Sequence, residues 1–331
     1  MLPSATYSFA RSINNNGQIV GESQVGSGVQ QVLWQNGEIA QLGSSWWNAK
    51  SINDSGQIAG TGGNSDGMTR AVVWQNDSAT ELGAYPGTST AESRAYGIND
   101  AGDVVGYSFW YDTGDFYWLA TLWKSGKIYA LGPVEPIPAR QSEALDINNF
   151  GQAVGWSTVN HVSQAALWQD GLTTTLPMPG GSPGEAHSIN DAGQIVGWFS
   201  PYTDNIHAFI WENGRSTDLG TFGNSLTYAE AINNRGQVVG YSQGENGCRP
   251  FIWEGGSLVD LNDLVSSESN WLLETAMDIN DAGQIIGAGR NPAGQVEAFL
   301  LTPVPEPSSL LALICGLSGL GGVIWRRKRL A

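Results

Sequence analysis

Four aspartates stand at the same place in a recurring Asn-Asp-x-Gly tetrapeptide, where oxygen ligands could gather for a cation. They are Asp54, Asp100, Asp191 and Asp281. A calcium site needs roughly six to eight oxygens, whereas each turn supplies one carboxylate, and three further copies of the turn carry Asn at that place. Asn and Asp favour turns because their side chains hydrogen-bond the nearby backbone. We therefore predict Asx-type turns here and no metal site.

The three histidines form no recognisable catalytic or metal-binding pattern. They are His161, His187 and His207. At the strand positions of His187 and His207, other copies of the repeat described below carry Lys50, Arg94, Gln31 or Arg249. Such variety within one chain is typical of a surface strand position. The chain also lacks a His-Glu-x-x-His motif and a phosphate loop, and we predict no catalytic residue, no metal and no cofactor.

Aromatic residues that break the repeat pattern are the better candidates for a ligand site. Four of them lie in one long loop: Trp110, Tyr111, Tyr117 and Trp118. Exposed aromatic rings offer flat apolar faces on which sugar rings stack, so these residues could form a glycan-binding face. The alternative is an insert whose aromatic rings pack over their own part of the fold.

A nine-residue phrase that recurs seven times must position all of these residues. It reads Ile-Asn-(Asn/Asp)-x-Gly-x-apolar-apolar-Gly, and successive copies begin 39 to 49 residues apart. The copies begin at Ile13, Ile52, Ile98, Ile147, Ile189, Ile232 and Ile279. A repeat of this length is one supersecondary unit that cannot bury its own apolar face, so the copies must stack.

Each copy has the pattern of four short strands. In the fifth copy, strands at 186–189 and 194–198 flank the Asn-Asp-x-Gly turn, and a third strand ends at Trp211 before an Asn-Gly hairpin turn and a fourth strand at 217–220. The third strand of six copies carries a tryptophan that we expect to pack between units: Trp34, Trp74, Trp123, Trp168, Trp211 and Trp253.

Four strands every ~40–45 residues is the period of a propeller blade. We predict an all-β fold, a β-propeller of about seven four-stranded blades over residues 1–303, with an open β-solenoid as the alternative. The seventh copy stops after its third strand, so the last blade is predicted to be incomplete.

Charge excludes some partners. Four of the fifteen cations and one of the thirty-one acids lie after residue 303, so residues 1–303 carry 11 cations and 30 acids, a net charge of −19. A surface of this sign repels nucleic acid and anionic lipid. We therefore predict no nucleic-acid partner.

Residues 304–331 change character abruptly. Residues 304–307 form a stiff spacer that contains Pro305, Glu306 and Pro307, and residues 308–325 are an uncharged apolar run. The run is long enough for a single transmembrane helix. The basic tail 326–331 follows, and its cluster of Arg326, Arg327, Lys328 and Arg329 predicts a cytoplasmic end. The repeat domain is then placed outside the inner membrane.

The tail resembles the bacterial PEP-CTERM sorting signal, in which a Pro-Glu-Pro motif, one hydrophobic helix and a basic cluster occur in this order. The repeats resemble the HAF-type extracellular repeat, whose His-Ala-Phe tripeptide stands at His207-Ala208-Phe209. The resemblance implies recognition by an exosortase, a membrane-embedded cysteine transpeptidase that would cleave at or near Pro305-Glu306-Pro307. It also implies a Gram-negative host that makes exopolysaccharide.

The start of the chain departs from this family. An exosortase substrate carries an N-terminal signal peptide, but Met1-Leu2-Pro3-Ser4-Ala5-Thr6 has neither a basic start nor an apolar segment. We expect that the natural start lies upstream of Met1.

The sequence therefore predicts a non-enzymatic β-repeat protein, first a membrane-anchored precursor and then a cell-surface or extracellular protein. Its expected partners are an exosortase, the inner membrane and, as a candidate, exopolysaccharide. A lectin-like glycan-binding propeller is the first alternative. A carbohydrate-active enzyme on a propeller scaffold is the second, and it would require carboxylates that converge from several blades at one central mouth.

Overall fold

Twenty-eight β-strands and three single-turn 3-10 helices account for the regular structure of the described residues. The computed structural model of the chain describes residues 5–43, 48–63, 67–86, 90–112, 114–132, 141–202, 205–223, 226–245, 247–304 and 321–326. The 3-10 helices are Pro179–Gly181, Leu261–Asp263 and Ser267–Ser269.

The strands form seven four-stranded sheets, numbered here as blades 1–7 in chain order. Blade 1 contains β1 (Ala5–Ile13), β2 (Ile19–Val25), β3 (Gly28–Gln35) and β4 (Glu38–Gln41). Blade 2 contains β5 (Asn48–Ile52), β6 (Ile58–Gly63), β7 (Thr69–Gln75) and β8 (Ser78–Gly83). Blade 3 contains β9 (Glu92–Ile98), β10 (Val104–Asp112), β11 (Asp115–Lys124) and β12 (Lys127–Ala130). Blade 4 contains β13 (Ser142–Ile147), β14 (Ala153–Val159), β15 (Val162–Gln169) and β16 (Leu172–Thr175). Blade 5 contains β17 (Gly184–Ile189), β18 (Ile195–Tyr202), β19 (Asn205–Glu212) and β20 (Arg215–Asp218). Blade 6 contains β21 (Leu226–Ile232), β22 (Val238–Gly244), β23 (Gly247–Glu254) and β24 (Ser257–Asp260). Blade 7 contains β25 (Leu272–Ile279), β26 (Ile285–Arg290), β27 (Val296–Val304) and β28 (Gly321–Arg326).

Two tight turns in each repeat explain why a copy folds as a meander. In blade 5, the Asn190 N–H donates to the Gln194 carbonyl and the Gly193 N–H donates to the Asn190 carbonyl, both at 3.0 Å. Gly193 has a φ of 76°, a conformation that glycine adopts without steric cost. Asn213 and Gly214, with φ of 51° and 82°, form the hairpin turn between the third and fourth strands.

The apolar core lies between neighbouring blades. One cluster joins Ala59 and Ala71 of blade 2 to Ala95, Ile98 and Trp123 of blade 3. The Trp123 indole N–H also donates to the carbonyl of Gly83 in blade 2, at 3.2 Å. Large aromatic side chains fill such layers well because they remove much apolar surface from water. The predicted packing role of the third-strand tryptophans is thereby confirmed at this blade interface.

Blade 1 packs directly against blade 7 and closes the ring. The Ile13 N–H donates to Asp278 Oδ2 at 2.9 Å, and the Ala298 N–H donates to Ser8 Oγ at 3.0 Å. One apolar cluster includes Ile13 from blade 1 and Ile286 from blade 7. The predicted propeller is confirmed, and the open solenoid is wrong because its first and last units would not touch.

The seventh repeat copy provides only three antiparallel strands, as its sequence predicts. Its fourth position is occupied by β28, which pairs with β27 in parallel from Phe299 opposite Gly321 to Val304 opposite Arg326. The outermost strand of the other six blades is antiparallel and comes from the same repeat copy. The N-terminal strand stays in blade 1 and completes no other blade.

The predicted transmembrane helix is not helical where the structure describes it. Residues 308–320 lie outside the described part of the chain, and Gly321–Trp325 belong to β28 instead. The Val-Ile-Trp segment of β28 has high strand propensity, and its pairing with β27 covers a strand edge that would otherwise be exposed. Among the described residues, no helix is long and apolar enough to cross a bilayer.

Candidate functional site

The asparagine that follows isoleucine in every repeat phrase builds a closed ring at one end of the central channel. Each side-chain Nδ2 donates to the backbone carbonyl of the equivalent asparagine in the next blade, at 2.9–3.1 Å. The seventh bond returns from Asn280 to Asn14. The asparagine ring comprises Asn14, Asn53, Asn99, Asn148, Asn190, Asn233 and Asn280, each 4% exposed.

A second ring lies directly outside the first. The backbone N–H of the residue after each ring asparagine donates to Oδ1 of its equivalent in the next blade, at 2.8–2.9 Å. The members are Asn15, Asp54, Asp100, Asn149, Asp191, Asn234 and Asp281. The four carboxylates that could suggest a calcium site therefore join blades. The Asx turns belong to the preceding asparagine instead, as when Asn14 Oδ1 accepts the Asn16 N–H at 3.1 Å.

A β-bulge interrupts the innermost strand of every blade, two residues before the isoleucine that begins the repeat phrase. In blade 5, Ala186 is opposite Gly197 and Ser188 is opposite Val196, so His187 is the extra residue. The same shift recurs in the other six blades. The seven extra residues, named here the bulge ring, are Arg11, Lys50, Tyr96, Leu145, His187, Glu230 and Met277.

The bulge turns these seven side chains toward the channel. All seven are partly exposed, whereas the alanine before each of them is buried. Members of adjacent blades also meet, since Lys50 Nζ lies 5.7 Å from the Tyr96 ring centroid and His187 Nδ1 lies 3.5 Å from Glu230 Oε2. Bulges commonly re-aim a side chain in this way. The expectation that His187 occupies a surface strand position is therefore wrong, because it lines the channel.

Charge is segregated around the channel. Two positions of each innermost strand are compared here: the bulge-ring residue and the residue two positions before it. On blades 1–3 these positions include the cations Arg11, Lys50 and Arg94, and on blades 4–6 they include the carboxylates Glu143, Glu185 and Glu230. Blade 7 contributes the uncharged pair Thr275 and Met277 at the same positions. The sequence repeats at the positions that build the frame and varies at the positions that face the channel.

Two carboxyl groups on the acidic side of the channel, Glu143 and Glu185, have a raised pKa. Burial raises the pKa of Glu143 to about 7, and the negative charge of Glu185 adds to the increase. Burial also raises the pKa of Glu185. His187, whose Nε2 lies 4.0 Å from Glu185 Oε2, has a raised pKa: burial lowers it, but the hydrogen bond and charge of Glu230 outweigh that loss. Carboxylates from three blades therefore converge here, as the enzyme alternative requires.

The four predicted ligand-binding aromatics lie on one long hairpin of blade 3 but on opposite faces of it. Strands β10 and β11 continue in register to Asp112 opposite Asp115. On one face, Trp110 and Tyr117 stack on each other, with ring centroids 5.0 Å apart and an angle of 9° between planes. Tyr111 and Trp118 lie on the other face, because strand side chains alternate.

The face that carries Tyr111 and Trp118 is a continuous row of aromatic rings. Phe116 lies 4.9 Å from Tyr111 and 5.7 Å from Phe109, and Phe109 lies 5.7 Å from Trp118. Tyr111 is 57% exposed and Phe116 is 66% exposed. The row, named here the aromatic track, consists of Tyr111, Phe116, Phe109 and Trp118.

The aromatic track leads toward the end of the channel opposite the asparagine ring. Trp118 packs 4.9 Å from Tyr107, which in turn lies 5.8 Å from Tyr96 of the bulge ring. The hairpin tip is on the face of the propeller opposite the asparagine ring, since the first and second strands of a blade are joined at that ring. Phe109 and Phe116 stand in the same non-repeating segment as the four predicted residues.

The remaining predicted site residues are placed as follows. Pro305, Glu306 and Pro307 lie outside the described residues, as do Arg327, Lys328 and Arg329, while Arg326 ends β28. His207 Nδ1 lies 2.7 Å from Asp218 Oδ2 on the outer strands of blade 5, and His161 is in an exposed turn with a φ of 64°. Within the described ranges, no three His, Cys, Asp or Glu side chains are arranged to hold a metal ion.

Comparisons with known proteins show the fold and no family. No protein-family model matches the chain, and no curated protein matches it. Among solved structures, the Pyrococcus horikoshii acylaminoacyl peptidase is 12% identical, with a TM-score of 0.59 over 89% of this chain and 51% of that one. A puromycin-hydrolyzing peptidase of Mycobacterium tuberculosis is 12% identical, with a TM-score of 0.59 over 90% of this chain and 52% of that one.

A third structure is a propeller alone. The β-propeller domain of the Trilobed protease from Pyrococcus furiosus, described as having an open velcro topology, is 11% identical, with a TM-score of 0.60 over 89% of this chain and 93% of that one. The present chain thus spans about half the length of the two whole peptidases. At these identities the likeness concerns the fold alone.

Proposed function

We propose that this chain is an exported, non-enzymatic propeller that binds carbohydrate at the bacterial surface through its aromatic track. In this proposal, an exosortase processes a membrane-anchored precursor near Pro305-Glu306-Pro307 and leaves the propeller attached to the cell surface or released from it. The natural ligand class is the exopolysaccharide of the host.

Export is supported by the order of elements in the tail and by the charge of the repeats. A Pro-Glu-Pro spacer, an apolar run and a basic cluster follow one another, and the preceding 303 residues carry a net charge of −19. The test is the mass of the mature protein in two matched hosts, one with an exosortase and one without it. With an exosortase present, the chain should end near Pro305; an unprocessed C-terminus in that host contradicts the proposal.

Carbohydrate binding is carried by one observation, the exposure of Tyr111 and Phe116 at the end of a continuous aromatic row. Exposed aromatic rings cost free energy in water, and a clustered apolar patch on a soluble surface marks a binding site. The C–H face of a pyranose ring packs on an aromatic ring and leaves the hydroxyl groups free to hydrogen-bond. Asp112 and Asp115 at the hairpin tip supply acceptors beside the track.

The test is binding of the full chain to a glycan array, followed by titration of the best ligand. Phe116→Ala and Tyr111→Ala should each weaken binding at least tenfold, while their exposed positions leave the melting temperature unchanged. Phe150→Ala is the matched control, because Phe150 is 75% exposed but lies at a turn beside the asparagine ring. Equal losses in all three variants, or no glycan bound by the wild type, would contradict the proposal.

Cleavage of the bound glycan is a second candidate function, favoured by the pair Glu143 and Glu185. A carboxyl with a pKa of about 7 beside a second carboxyl is the arrangement used for general acid catalysis in glycoside hydrolysis. The test is release of new reducing ends from the bound glycan. Loss of release in Glu143→Gln with binding retained supports cleavage, and an intact glycan with the wild type excludes it.

A further inference from the structure

The cations on one side of the channel have few carboxylates close to them. Arg11 is within 3.2 Å of a carboxylate, that of Glu22. Among the described residues, neither Lys50 nor Arg94 has a carboxylate within 4.0 Å, and each lies over an aromatic ring instead, Tyr96 at 5.7 Å and Tyr107 at 5.9 Å. Burial lowers the pKa of Lys50, and the nearby charge of Arg11 lowers it further. Of these three cations, only Arg11 has a carboxylate within 4.0 Å among the described residues.

The acidic half shows the opposite imbalance. Glu185 and Glu230 share one close cation when His187 is protonated, because His187 lies between them, and Glu143 has no cation within 4.0 Å among the described residues. Burial also raises the pKa of Glu143 and of Glu185. Carboxylates on this side therefore outnumber their close cations, as cations outnumber their close carboxylates on the other.

The two halves face each other across the channel. In a ring of seven blades, blade 2 is opposite blades 5 and 6, so Lys50 is opposite His187 and Glu230. No ion pair joins the halves among the described residues. Adjacent cation and anion positions occur only where Arg94 of blade 3 lies beside Glu143 of blade 4, and the Arg94 charge lowers the Glu143 pKa there.

A ligand with charges at its two ends would neutralise both halves at once. We infer that the channel binds a linear zwitterion of the unblocked-peptide class, with its carboxylate at Arg11 and Lys50 and its ammonium group at Glu185 and Glu230. A purely anionic or purely cationic ligand would compensate one half and be repelled by the other.

This site goes beyond carbohydrate binding and does not use the aromatic track, although it shares Glu185 with the cleavage candidate. Tyr111 and Phe116 take no part in it, and the bulge-ring residues take no part in the aromatic track. Failure of one proposal therefore leaves the other intact, and the two are separated by ligand and by variant.

The experiment is isothermal titration of the full chain with glycine oligomers of two to five residues, which carry terminal charges and no side chains. Each oligomer is compared with its N-acetylated and its C-amidated form on the same wild-type protein. At least one unblocked length should bind, and either block should weaken that binding at least tenfold. The comparison needs no variant, so a folding defect cannot obscure it.

Variants then locate the site. Lys50→Met and Glu230→Gln should each weaken the unblocked oligomer at least tenfold, whereas Lys127→Met and Glu212→Gln, at exposed positions away from the channel, should bind as the wild type does. The inference is overturned if no unblocked oligomer binds at concentrations up to about 10 mM, which is roughly the weak limit of specific binding. It is also overturned if blocked and unblocked forms bind equally, or if the Lys127→Met control loses as much affinity as Lys50→Met.

Discussion

A single asparagine per repeat stabilises both its own turn and the junction with the next blade. Asn190 Nδ2 donates to Gln194 Oε1 at 2.8 Å and to the Asn233 carbonyl at 3.0 Å, while Oδ1 accepts the Gln194 N–H at 2.9 Å. A buried amide with its hydrogen bonds made is stabilising, and its removal takes away the acceptor of the Gln194 N–H and one of the two donors to the Asn233 carbonyl, which also accepts the Gly236 N–H. The sequence predicted the turn but not the junction, because a single repeat copy carries no information about its neighbour's carbonyl.

Asn190→Ala should therefore lower the free energy of unfolding by about 2–4 kcal/mol. Asp100→Asn is the matched control in the outer ring. It retains an oxygen for the Asp54 N–H and replaces the exposed Oδ2 atom that accepts the Asn149 Nδ2 group at 3.0 Å, so we expect a change below about 1 kcal/mol. Urea titration of both variants checks this. Equal destabilisation of the two would show that the asparagine ring has no special role.

Asp146 gives the propeller a pH dependence of known sign. Its carboxylate accepts the N–H groups of Ile189 and Ile147 at 2.9 and 2.8 Å, but burial dominates and raises its pKa to about 6. The unfolded value is about 3.9, so the folded chain binds the extra proton between these values. Stability from this group is therefore full below pH ~4 and declines as pH rises to ~6.

Urea midpoints measured from pH 4 to 7.5 check the Asp146 effect. The wild type should lose stability across the window from about 4 to about 6 more steeply than Asp146→Asn, which cannot titrate there. All other carboxyls, including Asp278 with its raised pKa, are common to both proteins. Identical slopes would show that the Asp146 pKa is not raised.

At the scale of the element, the β-bulge in the innermost strand explains the last glycine of the phrase. Opposite the bulge the two strands approach so closely that a Cβ on Gly197 would lie 2.0 Å from the Glu185 carbonyl oxygen. The sequence could not reveal the bulge itself, because its extra residue ranges from Arg11 to Leu145 to Glu230 and shares no chemistry. The glycine that recurs in every copy was the only sign of the bulge, and a glycine at this place is equally typical of the end of a strand.

Gly197→Ala should destabilise the chain by more than about 3 kcal/mol, since the clash is with backbone and cannot be relieved by a rotamer change. Gly28→Ala is the control within a strand: its nearest neighbours to a new Cβ are 3.6 Å away and its φ is ordinary. We expect it to be neutral within about 1 kcal/mol. Thermal unfolding compares the two, and a Gly197→Ala protein as stable as Gly28→Ala would refute the close approach.

At the scale of the whole molecule, seven repeat copies predicted the number of blades and favoured a closed propeller, but they left an open array as the alternative. An open and a closed array bury the same type of interface six times, and they differ only in whether blade 7 meets blade 1. The tail was the second feature that could not be predicted from the sequence alone. Its apolar run satisfies the criteria for a transmembrane helix, yet Gly321–Arg326 fill the strand position that the seventh copy leaves empty. Export and exosortase processing stay predictions.

Hydrogen exchange at the junction of blades 7 and 1 tests the closed ring most directly. The Ile13, Asp281 and Ala298 amides donate across this junction, and Ile189, Asp191 and Ala120 donate in the same way across internal junctions. A closed propeller predicts that each pair of equivalent amides exchanges at rates within about tenfold of each other. Exchange of Ile13, Asp281 and Ala298 at the rates of unprotected amides, with the internal junctions still protected, would contradict closure and remove the channel on which the account depends.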